Sequence, residues 1–82
     1  MAKYLDHHKT VDLPKQAVEQ LLSDIKAGRA DKDGVRPINL IMGKGEMWCL
    51  VEAPDAKIVE KHHEAMGVKL GKGDIVEVST LV

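Results

Sequence analysis

Between Asp12 and Gly28, the residues Ala17, Val18, Leu21, Leu22 and Ile25 recur at three- and four-residue intervals. This spacing lines apolar side chains along one stripe of a helix, and a helix with such a stripe must be covered by another element. Asp12 is expected to cap the helix, Pro14 to lie in its first turn and Gly28 to end it. A second helix is expected from Pro54 and Asp55 through Met66, stopped by Gly67. The flanking segments have strand character. Residues 2–9 alternate Tyr4, Asp6 and His8 against Lys3, Leu5 and His7. Residues 35–42 are rich in branched apolar side chains and 47–51 form a second such run across Gly43-Lys44-Gly45, so the pair reads as a hairpin, with Pro37 near a strand end or at an edge. Residues 75–78 make a short final strand.

The order is strand, helix, strand, strand, helix, strand. Its simplest compact packing is α+β and ferredoxin-like: a four-stranded antiparallel sheet with two helices on one face. At 82 residues the chain is a single domain, residues 1–82, and a domain of this size buries little surface. In the second hairpin strand Met47, Cys49 and Val51 oppose Trp48 and Leu50, so both faces read as dry. The helices cover only one, and the other is expected to meet a second copy of the sheet in a homodimer.

Composition excludes several partners. Twelve basic residues against thirteen acidic ones, without a basic cluster and with Tyr4 and Trp48 as the only aromatic residues, argue against nucleic acid. The opening residues are charged too early for a signal peptide, and no run approaches membrane-spanning length, so the chain reads as cytoplasmic with no membrane partner. In a reducing compartment the single Cys49 stays a thiol or becomes a thiolate ligand.

The chemistry lies in four histidines, His7-His8 and His62-His63, with Cys49 between them. Imidazole and thiolate bind borderline and soft transition metals well. Neighbours on a strand point to opposite faces, so His7 and His8 cannot share an ion. If Leu5 marks the face beneath the helices, His7 lies there and His8 lies with Tyr4 and Asp6 on the partner face. On the second helix His62 falls within the apolar sector as a core histidine, and His63 falls at its edge, able to reach a strand or solvent. Each histidine taken alone is also consistent with a surface or structural role, and Cys49 with a small buried apolar residue. Glu52 is a candidate ligand or an acceptor for an imidazole N–H, or else a solvated strand end. Asp6 could orient a histidine or face water, and Asp55 is explained by capping. Gly43-Lys44-Gly45 precedes no helix and is no phosphate loop.

Tyr4-Leu5-Asp6-His7-His8-Lys9, then Trp48-Cys49-Leu50-Val51-Glu52-Ala53-Pro54, then His63-Glu64 before Gly67, together resemble a family of small bacterial proteins of unassigned function that includes nickel-binding members. The resemblance implies a dimeric ferredoxin-like protein that binds nickel or a similar divalent ion for storage, buffering or sensing. In that pattern the histidines matching His8 and His63 recur, while the place of His62 is usually apolar. The resulting expectation is a metal-binding protein rather than an enzyme. His8 and His63 are the leading ligands, Cys49 follows, and Glu52 or His7 completes the shell. Nickel is favoured by resemblance, and zinc or copper suits the same donors. The alternative is a dimeric α+β-barrel enzyme or small-ligand module in which the histidines carry protons in a cavity between sheets.

Overall fold

In the computed structural model, which describes residues 2–10, 12–65, 67–71 and 73–80, the elements are β1 (Ala2–Lys9), α1 (Lys15–Ala27), β2 (Arg36–Met42), β3 (Glu46–Ala53), α2 (Ala56–Ala65) and β4 (Ile75–Val78). The strands form one antiparallel sheet in the order β2-β3-β1-β4, an α+β architecture compatible with the ferredoxin-like arrangement. β1 and β3 are central and run side by side over their whole length, pairing Tyr4 with Val51, Asp6 with Cys49 and His8 with Met47. Directly paired residues share a face, so this register fixes which side chains can meet.

Local chemistry sets most boundaries. Gly28, at φ 69°, ends α1 in the left-handed conformation, and its amide and that of Arg29 return to Ile25 and Asp24. The Asp12 cap does not form: Pro14 occupies the N-cap position without a side-chain cap, because Pro14 already supplies the fixed φ and Asp12 lies two residues too early. α2 is capped by Asp55, whose Oδ1 accepts the Ile58 amide at 2.9 Å. The end of α2 expected at Met66 lies outside the described residues. Beyond it, the Gly67 and Val68 amides return to the Glu64 and His63 carbonyls. Pro37 sits on the edge strand β2 next to a register shift, the kind of position where a sheet accommodates proline.

Tyr4, Val35, Val51, Ala53, Val59 and Leu70 form the core. Leu70 belongs to a stretch that reads as a connection in the sequence, yet it is buried. The faces of β1 are the reverse of the expectation built on Leu5. Tyr4 and Asp6 are buried, at 7% and 0% exposure, and Leu5 and His7 lie on the open side. The cause is register: Tyr4, Asp6 and His8 align with Val51, Cys49 and Met47, the side of β3 beneath the helices. α1 covers its share of that side loosely and contains no buried residue.

Gly43 is fixed by its neighbour. A Cβ there would come within 2.7 Å of the Trp48 ring, so a methyl group must push a large aromatic out of place. Gly43→Ala is expected to lower stability in urea by about 1–3 kcal/mol and to shift Trp48 fluorescence. Unchanged stability and emission would mean that the hairpin packs differently.

Candidate metal centre

Asp6, His8, Cys49 and His63 converge beneath α2. β1 offers Asp6 and His8 two residues apart on one face, β3 sets Cys49 opposite Asp6, and the last turn of α2 lowers His63 onto them. One ligand atom from each lies within 4.8 Å of those of the other three. The separations are 3.1 Å from His63 Nε2 to Asp6 Oδ1, 3.7 Å from His8 Nε2 to the same oxygen and 3.9 Å from Cys49 Sγ to His8 Nε2. Donors on one tetrahedral ion at ordinary bond lengths lie about 3.3–3.8 Å apart, so the cluster is already near coordination spacing.

Hydrogen bonding fixes the direction of both imidazoles. His63 Nδ1 is 2.9 Å from the Val59 carbonyl and His8 Nδ1 is 2.7 Å from the Lys9 carbonyl. A carbonyl only accepts, so each Nδ1 carries a proton and each ring turns its Nε2 toward the cluster, as a lone pair whenever the ring is neutral. Backbone anchoring of the distal nitrogen is how proteins commonly orient metal-binding histidines.

Asp6 makes the arrangement incomplete. Its carboxylate is fully buried, and neither oxygen receives a hydrogen bond from a described residue. His63 Nε2 stands at 3.1 Å as a charge neighbour, without an N–H directed along the line to the oxygen. An uncompensated buried carboxylate costs several kcal/mol, a large fraction of a small domain's total stability. Two lone pairs, a carboxylate and a thiol facing one another need a cation or protons among them.

Titration follows from this crowding. Burial pushes the Cys49 thiol up to about 12, with the charge of the neighbouring Asp6 adding to it, so without a cation Cys49 is a thiol. For His63, burial is the largest influence and opposes the charged ring. Asp6 and the Val59 carbonyl outweigh it and raise the pKa above its ordinary 6.5. A raised folded value means stabilisation present in full below about pH 6.5 and lost as pH climbs through the folded value.

The other expected ligands lie elsewhere. His7 is on the open face, stacked on Trp48 with centroids 4.9 Å apart and with Nε2 3.0 Å from Glu46. Glu52 is on that face too, paired with Arg36 at 3.3 Å, which holds its carboxyl below the usual range. The helical-wheel assignment of α2 is inverted. His63 is buried at 3% exposure, whereas the His62 side chain is a third exposed and reaches Asp31 at 2.9 Å. The buried side of α2 is set by Val59, and His63 lies one turn further along that side. Asp6 is the cluster member that the expected ligand set lacks; its position two residues before His8 on one strand was the available signal. A second grouping, Asp31, Asp33 and His62, is largely exposed, and Asp31 already accepts the Asp33 and Val35 amides.

Above the cluster, between α1 and the sheet, is a cavity of about 280 Å³ lined mostly by apolar side chains, with His8, Cys49 and His63 on its wall. It lies on the helix side of the sheet, unlike the cavity between sheets imagined for a dimeric barrel. No helix among the described residues is long and apolar enough to cross a membrane. No family model, curated protein or solved structure matches the chain, so the likeness to nickel-binding proteins rests on its motifs alone.

Metal-free protein is expected to be more stable in urea at pH 6 than at pH 8, because protonated His63 compensates Asp6 only at the lower pH. Asp6→Asn removes the charge, should flatten that slope and should make the metal-free chain more stable than wild type at pH 8. A less stable variant at pH 8 would show that the carboxylate is satisfied.

Proposed function

We propose that this protein binds one divalent transition-metal ion per chain through Asp6, His8, Cys49 and His63. The observation that carries the reading is the fully buried Asp6 carboxylate, without a hydrogen bond and faced by two imidazole lone pairs and a thiol. The mixed oxygen, nitrogen and sulfur donors favour the borderline ions from cobalt to zinc over magnesium or calcium. Nickel is the ion that the motif resemblance favours, and zinc and copper suit the same donors. Binding would keep Cys49 as a thiolate despite its high pKa in the metal-free state, because a coordinated thiol loses its proton. Storage, buffering or sensing in the cytoplasm fits a small binding protein of this kind.

The metal reading has a direct test. Mass spectrometry and calorimetry should find one nickel, zinc or cobalt ion per chain, and an ion present at a hundred times its dissociation constant should stabilise the fold by about 2.7 kcal/mol. His8→Ala/His63→Ala should lose both effects. Absence of bindable metal, or full binding by the double variant, rejects the reading.

The open face supports a homodimer. Leu5, Trp48, Leu50 and Ile41 share it with Val76 and Val78, and Ile41 and Val76 are 51% and 53% exposed. Contiguous exposed apolar surface marks an association site, and a two-fold axis lets the same patch cover itself. Sedimentation should give a dimer for wild type and a monomer for Leu50→Glu, with metal stoichiometry unchanged. A monomeric wild type at micromolar concentration would overturn the dimer.

A further inference from the structure

We propose that the cavity beneath α1 receives a small, mostly apolar molecule bearing one neutral nitrogen or sulfur donor, and that this donor binds the metal ion from the cavity side. The inference rests on the metal reading above. Three features of the structure carry it.

The first is asymmetry. His8, Cys49 and His63 line the cavity, while Asp6, fully buried, lies outside its lining. An ion held by the four would keep its cavity side uncovered by protein, and an added donor arriving there would make it five-coordinate, an expansion open to such ions. The second is charge. A divalent ion is balanced by the Asp6 carboxylate and the Cys49 thiolate, leaving a neutral centre. A neutral donor adds no charge to a mostly apolar cavity, whereas a carboxylate would bring an unbalanced one to walls that already carry Asp24 and Asp31.

The third is the fit of the walls. Leu13, Leu21 and Ile25 approach from the α1 side, and Val35, Leu40 and Val51 from the sheet side. At about 280 Å³ the space exceeds the roughly 150 Å³ that holds benzene in an engineered protein cavity, so a two-ring molecule is of suitable size. α1 contains no buried residue, and filling the cavity would give its apolar stripe something to pack against. The looseness of α1 and the presence of the cavity are thus one fact.

The test uses the full-length protein loaded with cobalt(II), whose visible bands report its ligands. Phenylimidazole should shift those bands and bind about tenfold or more tightly than imidazole, because its phenyl ring is buried. Ala17→Phe, which fills the cavity from α1, should keep cobalt binding and lose the preference for phenylimidazole. Cobalt binding without a response to phenylimidazole, or with equal affinity for both compounds, overturns this inference and leaves the metal reading standing. Failure to bind cobalt, nickel or zinc overturns both.

Discussion

One buried carboxylate organises this small protein. Asp6 stands in the centre of the sheet, shielded from water, where a small domain with a small core has little stability to spare. Among the described residues, the polar groups that face it are two imidazoles and a weakly acidic thiol. Such an arrangement is unfavourable as a packing solution and favourable as a receptor for positive charge. On the proposed metal reading, the cluster is a cost accepted in the metal-free fold and offset on binding.

The fold serves that cluster by register. Because β1 and β3 are adjacent and central, Asp6, His8 and Cys49 are held by the most fully hydrogen-bonded part of the sheet, and only His63 arrives from a helix. The end of α2 is fixed in turn by the return of the Gly67 and Val68 amides to its last carbonyls. His63 also bonds its ring to the carbonyl one turn earlier. Donors on rigid elements, each oriented by backbone, keep their spacing without an ion in place.

Much of the architecture was legible in the sequence because the periodicities are strong. β1 and β4 match the expected residues, and the helices and hairpin lie where the glycines and Pro54 put them. The site was legible in part: His8, Cys49 and His63 come together from segments far apart. The facing of β1 was not legible, since Asp6 occupies a core position that pattern reading assigns to an apolar residue. That rule fails where chemistry needs a buried charge. The roles of His62 and His63 were exchanged because His63, one turn after the fully buried Val59, follows it into the core, while His62 turns to Asp31. His7 and Glu52 remained candidates because spacing alone does not reveal that each has a partner on the open face.

The central claim is that a carboxylate, two imidazoles and a thiolate hold one ion together. X-ray absorption at the metal edge of the nickel- or zinc-loaded protein reads that donor set directly. The account predicts one sulfur scatterer at about 2.3 Å, with nitrogen and oxygen near 2.0–2.1 Å and multiple scattering from two imidazoles. A shell of nitrogen and oxygen alone, unchanged by Cys49→Ser, would contradict it.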